Sequence, residues 1–341
     1  MKTLILSTVA AATCVLTFNA AAQGSPGAAA APVDPVTFVN QFEATGGKFE
    51  GYRRSGAKGI CAAGEFVGSA DGKDLSMASV FSGKPVPVVV RFSVGGGNPK
   101  APDNAKTQRN LSLQFNLPDG ERWMMGNISA PVFGASTPQQ LLALLVSRQA
   151  DPATKAADPA KVKAFNDANP EVLLQGKHYA SQPVPASFGS VNYWGVHAHG
   201  FVNASGAKQF GKWIFEPVAG LQGLTDDEAK AKGANFLFDD LRQRVKEGKV
   251  AFNFNLELAQ AGDKLDSATV PLPEGRKKVN LGVLKVTSVS EDGGGPCLTT
   301  NYNPMVMPKG VEPSTDPMLA ARSAPYAVSL GRRLGEGAKQ Q

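Results

Sequence analysis

Short strand-like runs that follow one another in adjacent pairs constrain the fold of this chain most. Eight such runs, rich in β-branched or alternating apolar residues, cover 60–67, 86–94, 111–116, 122–126, 191–202, 208–218, 250–258 and 278–289. Turn sequences such as Pro118-Asp119-Gly120 join the members of a pair. This order disfavours a parallel doubly wound sheet. It predicts an α+β fold in which an eight-stranded antiparallel β-barrel holds a ligand in its interior or mouth.

Helices are inserted between these strands and follow them. A threonine or aspartate cap before proline opens helices at Thr137 and Asp158. A third helical region begins after Thr225, is interrupted at Gly233 and runs to about Glu247. Residues 36–43 add a short helical pattern at the start of the folded part.

The N-terminus carries the pattern of a secretory signal over residues 1–22: Lys2, an apolar run and the small residues Ala20-Ala21-Ala22. That run is too short for a stable membrane span, and no later segment is apolar enough for one. We expect export to a bacterial periplasm. The predicted divisions are a flexible Ala/Pro-rich linker over 23–35, one domain over 36–335 and a polar tail over 336–341.

The cysteines and the charge narrow the classes of function. Removal of the signal takes Cys14 and leaves Cys61 and Cys297, whose pairing the sequence leaves open. Neither cysteine belongs to a C-x-x-C motif or a Cys/His cluster, which disfavours zinc binding and thiol redox catalysis. The net charge of +6 includes no basic block, so we expect no nucleic-acid partner.

The stretch from Asp316 to Gly335 carries the chemistry. In a helix, Arg322, Tyr326 and Arg333 lie along one stripe, because steps of four and seven residues return to the same face. A nearby guanidinium stabilises a phenolate, and a phenolate is a hard oxygen ligand for ferric iron. The alternative is an ordinary amphipathic helix with solvated arginines. Pro325 removes one backbone hydrogen bond, and its effect on this stripe stays open.

Several motifs occur together in a recognisable order. They are Val90-Arg91-Phe92-Ser93, Gly126-Asn127 with Pro131 and Phe133 after it, His197 in a Gly-x-His context, and Arg322-x-x-x-Tyr326 followed by Arg332-Arg333-Leu334-Gly335. In these motifs the chain resembles the haem catalase superfamily, and more closely its small catalase-related peroxidases. The resemblance covers roughly residues 38–335.

The resemblance implies a role for each matching residue and haem b as the cofactor. Tyr326 would bind the iron through its phenolate oxygen, which Arg322 would stabilise. Asn127 would donate a hydrogen bond to peroxide on the opposite side of the haem. The haem carboxylates would be bound by three further arginines, whose planar donor forks suit bidentate pairing: Arg53, Arg91 and Arg333.

The chain departs from the family at Gly56. The family motif H-A-K-G begins with the distal histidine that moves a proton between the peroxide oxygens, whereas this chain reads Gly56-Ala57-Lys58-Gly59. Loss of a general acid–base costs about 10²–10⁴ in rate. Glycine would leave room for a bulkier peroxide. Whether His197 or His199 takes over, or the two bind a metal ion, stays open.

Two functions follow. The first is an exported haem peroxidase that reduces hydrogen peroxide or organic hydroperoxides with a small-molecule electron donor. The alternative is a catalytically impaired haem-binding protein, a sink or sensor. Rearrangement of fatty-acid hydroperoxides and a haem-free binding barrel are weaker options. The sequence leaves a monomer and a dimer equally open.

Overall fold

The computed structural model describes residues 31–290 and 294–339. The predicted signal at 1–22 lies outside these residues, as do most of the linker and the last two residues of the tail. From Pro32 onward, the described residues form one compact unit. The domain boundaries at 36 and 335 stay predictions. None of the helices in this part of the chain is long and apolar enough to cross a membrane.

The chain forms strands close to those the sequence indicates. In chain order they are Gly59–Gly68 (β1), Val86–Val94 (β2), Arg109–Asn116 (β3), Arg122–Ile128 (β4), Val184–Pro185 (β5), Tyr193–Trp194 (β6), His199–Val202 (β7), Lys208–Pro217 (β8), Gly223–Leu224 (β9), Ala251–Leu258 (β10), Lys278–Val289 (β11) and Val311–Pro313 (β12).

Eight of these strands close into an antiparallel barrel. The order around it is β10-β11-β1-β2-β3-β4-β6-β8, and pairing of β8 with β10 completes the ring. Strands β7 and β12 continue the sheet beyond β8. The predicted eight-stranded antiparallel barrel is confirmed.

The strand predicted over residues 191–202 is wrong in its continuity. Only Tyr193–Trp194 pairs within the barrel, and the chain leaves it before β7 begins at His199. Gly195 lies so close to the indole of Trp213 that a Cβ on it would collide with the ring. This tertiary contact, which the β-rich local sequence does not encode, separates the two strands.

The barrel interior is a packed core. Phe66, Phe115, Trp123 and Phe254 are fully buried there and form edge-to-face or tilted ring pairs with centroids 5.4–5.9 Å apart. The expectation of a ligand in the barrel interior or mouth is therefore not met. Most of the residues singled out in the sequence gather on the outer wall instead, whereas Asn127 points inward.

The helices cover parts of this wall. They are Pro35–Gly46 (α1), Ala70–Leu75 (α2), Pro138–Ser147 (α3), Pro159–Ala168 (α4), Leu173–Ser181 (α5), Asp226–Ala231 (α6), Phe236–Lys246 (α7), Pro317–Ala320 (α8) and Ser323–Gly335 (α9). Helices α2 and α5 have no counterpart among the predicted helices. The predicted caps of α3, α4 and α6 are present, each accepting a backbone N–H in the first helical turn.

Pro325 does not bend a continuous helix. The chain folds as two helices, and α9 begins at Ser323, so Pro325 occupies its first turn. A proline there sacrifices no hydrogen bond, since the N–H groups of a first turn have no partner within the helix. Helix α9 packs against α1.

Candidate functional site

Four neighbouring strands present their outward-facing residues as two rows. Cys61, Arg91, Ser112 and Gly126 pair side by side across β1 to β4. The adjacent row, two residues along each strand, consists of Gly59, Ser93, Asn110 and Ile128. Directly paired residues point to the same face of a sheet, so these rows form one continuous wall.

Helix α9 brings Tyr326 against this wall. The Arg322 guanidinium, one turn earlier, donates a hydrogen bond to the Tyr326 hydroxyl oxygen. A Cβ added to Gly126 would stand 3.0 Å from the Arg322 guanidinium and 4.0 Å from that hydroxyl. The absence of a side chain at Gly126 therefore lets the arginine and the phenol approach the wall.

A chain of polar side chains continues from Arg322 into the protein. The other terminal nitrogen of Arg322 lies 3.3 Å from Nε2 of His197, and Nδ1 of His197 lies 2.7 Å from Oδ2 of Asp316. A guanidinium has no acceptor, so Nε2 must accept and the proton must sit on Nδ1, which donates to Asp316. The sequence Tyr326–Arg322–His197–Asp316 therefore has a defined hydrogen-bond direction.

Burial sets the protonation of this chain. It lowers the pKa of His197 even though the bond to Asp316 acts in the opposite direction. Burial is the largest influence on Asp316 and would raise its pKa, but the hydrogen bonds from His197 and the Met318 N–H, together with the attraction of His197 and Lys212, lower the pKa of that carboxyl overall. At neutral pH we therefore expect a neutral imidazole between a carboxylate and a guanidinium.

Three predicted arginines form a cluster beside Tyr326. Arg91 is 2% exposed and donates to the carbonyl oxygen of Gly56 at 2.8 Å. Arg53 donates to the carbonyl oxygens of Cys297 and Thr300, at 2.7 and 2.8 Å. The Arg333 side chain is also 2% exposed, and it reaches the Thr300 carbonyl at 3.4 Å.

The positive charges of this arginine cluster repel one another. Burial and then repulsion by Arg53 lower the pKa of Arg91 well below its ordinary value, and the same two causes lower the pKa of Arg333 to about 9. Tyr302 acts in the opposite direction on the pKa of both Arg53 and Arg333, as does Tyr326 on that of Arg53. The carboxylates of Glu43 and Glu336 instead form ion pairs with neighbouring arginines.

Gly56 lies at the edge of the same wall, with a left-handed φ of +63°. A Cβ on it would meet the Ser93 hydroxyl at 2.9 Å and the Asn110 amide nitrogen at 3.4 Å. The Asn110 amide donates to that hydroxyl at 3.0 Å and accepts from Gln108 at 2.5 Å. The space expected beside Gly56 is therefore partly filled by a bonded serine and asparagine.

Asn127 does not join this arrangement. It pairs with Leu111 on the inward face of the sheet and is 1% exposed. Its amide donates to the Leu111 carbonyl at 2.9 Å, and its oxygen accepts from the indole of Trp213 at 2.7 Å. The structure brings Arg53, Arg91, Arg322, Tyr326, Arg333 and Gly56 to one face but leaves Asn127 on the other.

His197 and His199 do not converge on a common point. His199 stacks on Trp213 with ring centroids 4.1 Å apart, while its Nδ1 lies 3.3 Å from the His197 carbonyl oxygen. Within the described residues, no group of three or more His, Cys, Asp or Glu side chains is arranged to hold a metal ion. The contacts of His197 instead give it a place behind the arginine.

Sequence reasoning missed the roles of His197 and Asp316. They are 119 positions apart, and no spacing rule links a loop histidine to the N-cap of a distant helix. The Gly-x-His context of His197 was the available signal. Cys61 and Cys297, whose pairing the sequence left open, form a disulfide in the structure.

The fold and this outer-wall site define a catalase-like barrel protein. The family model for Catalase matches residues 51–340. The chain belongs to the catalase family.

Individual relatives agree with this assignment. A catalase-related peroxidase of Synechococcus elongatus is 40% identical over 90% of this chain and 91% of its own. One of Mycolicibacterium paratuberculosis is 30% identical over 88% and 95%. Catalase A from Saccharomyces cerevisiae has the same fold, with a TM-score of 0.76 and 20% identity over 83% of this chain. The chain covers 61% of that solved catalase.

The catalase family implies a haem cofactor, and the residues present fit one. The Nε of Arg333 is buried without a hydrogen-bond partner among the described residues, and repulsion by Arg53 acts on the same guanidinium. A ligand with a carboxylate would supply both an acceptor for this N–H group and a negative charge. The hydroxyl oxygen of Tyr326 lies on the same face, beside the Arg322 guanidinium.

Proposed function

We propose that this chain is an exported haem peroxidase that reduces hydrogen peroxide or organic hydroperoxides with electrons from a small donor. Its relatives are peroxidases and catalases, which indicates an oxidoreductase acting on peroxide. The observation that carries the proposal is the convergence of Tyr326, with Arg322 on its oxygen, and three further arginines on one outer face.

Tyr326 would bind the iron of haem b through its phenol oxygen. The haem would supply the redox-active iron at which the O–O bond is cleaved. Arg322 donates a hydrogen bond to the phenol oxygen and so fixes its position. His197 accepts from Arg322, and Asp316 fixes the imidazole in the tautomer that can accept. These residues hold the phenol oxygen in position and stabilise it electrostatically.

Arg53, Arg91 and Arg333 would bind the two haem carboxylates. Three guanidiniums offer more donors than their present carbonyl partners use. Burial and then repulsion by Arg53 depress the pKa of Arg91 and Arg333, and two carboxylates would offset the repulsion. Haem binding would therefore be favoured by relief of the electrostatic repulsion already present among these arginines.

Gly56 motivates the second candidate, a haem-binding protein with little catalysis. Glycine offers no group for proton transfer between peroxide oxygens. The side chains beside it, Ser93 and Asn110, can donate hydrogen bonds but are poor bases at neutral pH. We propose that they orient peroxide in the peroxidase, whereas in the alternative they merely fill the space.

Export to the periplasm accords with the cysteines. The Cys61–Cys297 disulfide supports an oxidising compartment, because such bonds are rare in the cytosol. Cleavage after about residue 22 would be tested by N-terminal sequencing of protein purified from a periplasmic extract. A full-length cytosolic product would contradict the proposal of export.

Haem reconstitution tests the function. Purified apoprotein is titrated with haem, and the spectrum should develop the Soret band of tyrosinate-ligated ferric haem. The Tyr326→Phe variant should lose this signature. Tyr179→Phe is the matched control, since Tyr179 lies on α5 and bonds Gln108. An unchanged spectrum in Tyr326→Phe would assign the ligand elsewhere.

Turnover then separates the two candidates. The reconstituted protein is given cumene hydroperoxide or hydrogen peroxide with a chromogenic donor, beside the same amount of free haem. A peroxidase should exceed free haem at least about tenfold, a lower bound on the contribution of positioned polar groups. A rate equal to free haem, together with the Soret band, would favour the sink or sensor.

A further inference from the structure

Two arginines of the cluster are held by one short segment. The carbonyl oxygens of Cys297 and Thr300 both accept from Arg53, and that of Thr300 also accepts from Arg333. The segment begins in a 3₁₀ helix over Gly295–Leu298. Its backbone therefore determines where two of the three guanidiniums stand.

The Cys61–Cys297 disulfide fastens this segment to the barrel wall. Cys61 stands beside Arg91 in the register of β1 and β2. Both cysteines are fully buried, and the Tyr302 hydroxyl donates to the sulfur of Cys297 at 2.9 Å. The Arg53 guanidinium lies over the Tyr302 ring, 5.4 Å from its centroid. The disulfide thus links β1, the strand that pairs with the strand of Arg91, to the segment that holds the other two arginines.

We infer that the Cys61–Cys297 disulfide is a positioning element of the carboxylate-binding site, which keeps Arg53 and Arg333 beside Arg91 before the ligand arrives. Like charges in a cluster separate when their supports are released. A covalent tether across 236 residues opposes this separation, and a preorganised cluster binds carboxylates more tightly. The inference rests on the proposed haem function.

A comparison of haem with haem dimethyl ester tests it. Esterification removes both carboxylates and leaves the iron and the macrocycle, so the ratio of the two dissociation constants reports the arginine cluster alone. In wild-type apoprotein, haem should bind more tightly by at least about tenfold, the equivalent of one charge-assisted hydrogen bond. In the Cys61→Ala, Cys297→Ala double variant, this ratio should fall about fivefold or more.

Leu241→Ala is the matched control for lost stability, because Leu241 is a fully buried core residue on α7. Its ratio should equal that of the wild type. A folded double variant with the wild-type ratio overturns the inference, since the disulfide then serves stability alone. If the double variant fails to fold, the Cys61→Ser, Cys297→Ser variant decides. That change keeps two side chains of similar size and removes the covalent bond, so a lowered ratio supports the inference and an unchanged one overturns it.

The wild-type measurement separates this inference from the proposed function. A wild-type apoprotein that binds neither compound, or binds both equally, contradicts the carboxylate site itself. A wild-type preference for haem that persists without the disulfide contradicts only the positioning role.

Discussion

The hydroxyl oxygen of Ser93 lies 2.9 Å from the point at which a Cβ on Gly56 would stand. Asn110 holds that hydroxyl with a 3.0 Å hydrogen bond, and the backbone of Gly56 is left-handed. Glycine at this position is therefore part of a locally bonded arrangement. A histidine placed there would have to overcome backbone strain and displace the serine, so it would not simply restore a missing catalytic group.

Substitution of Gly56 by alanine should measure this arrangement. We expect Gly56→Ala to lower the free energy of unfolding by about 2–3 kcal/mol: about 1–2 from the left-handed backbone and about 1 from the broken Asn110–Ser93 bond. Gly83→Ala is the control, since Gly83 has φ +80° with nothing within 4 Å of its Cβ position. In urea unfolding, Gly83→Ala should show only the loss of stability that comes from the left-handed backbone. Equal losses in the two variants would mean that Ser93 moves away without cost.

The Asp316→Asn variant measures what the hydrogen bond between His197 and Asp316 contributes to stability. Asparagine keeps the N-cap of α8, where Asp316 accepts from the Met318 N–H at 2.8 Å. The variant nevertheless loses the carboxylate that accepts from His197, so we expect unfolding to become easier by about 1.5–3 kcal/mol.

The control for this change is Asp34→Asn at the exposed cap of α1, where the carboxylate accepts from Thr37 but no buried partner. Thermal or urea unfolding should show a much smaller change there. Similar effects of the two variants would show that Asp316 stabilises the protein only as a helix cap.

Arg333→Met should separate folding from haem binding. Removal of a buried, poorly compensated cation should stabilise the apoprotein by about 1–4 kcal/mol. The same change should weaken haem binding about tenfold or more, because a charge-assisted bond to a carboxylate is lost.

The neighbouring Arg332 provides the contrast. It is partly exposed and pairs with Glu43 at 3.0 Å, so Arg332→Met should cost at most about 1 kcal/mol in apoprotein stability and leave haem affinity unchanged. Calorimetry of the apoproteins and absorbance titration with haem measure the two quantities. A destabilised Arg333→Met apoprotein would contradict the repulsion within the cluster.

The sequence was sufficient where short-range periodicity decides the structure. A four-residue step placed Arg322 beside Tyr326, and short runs of β-branched or alternating apolar residues identified the barrel strands. It was insufficient where distant segments meet. The contact of Gly195 with Trp213 splits a run of strand formers, and the pairing of Cys61 with Cys297 depends on how a late segment crosses the wall. Tertiary packing, which local propensity does not encode, decides both.

The most acid-sensitive element should be His199. It is 2% exposed, stacks on Trp213, and its Nε2 is buried without a hydrogen-bond partner among the described residues. Burial, reinforced by repulsion from His197, lowers its pKa to about 3 from 6.5. Below pH 6.5 the imidazole of His199 is protonated in the unfolded chain, whereas in the folded protein it stays neutral down to about pH 3. The stability that the neutral His199 contributes is therefore fully present above pH 6.5 and is lost as the pH falls. Between pH 7 and pH 5 this single group should lower the free energy of unfolding by about 2 kcal/mol.

The His199→Phe variant keeps an aromatic ring on Trp213 and should not show the loss of stability that His199 causes, while His197 is retained in both proteins. Urea unfolding of the two proteins at pH 7 and pH 5 measures the difference, and parallel pH dependences would show that His199 is already protonated, or solvated, in the folded state.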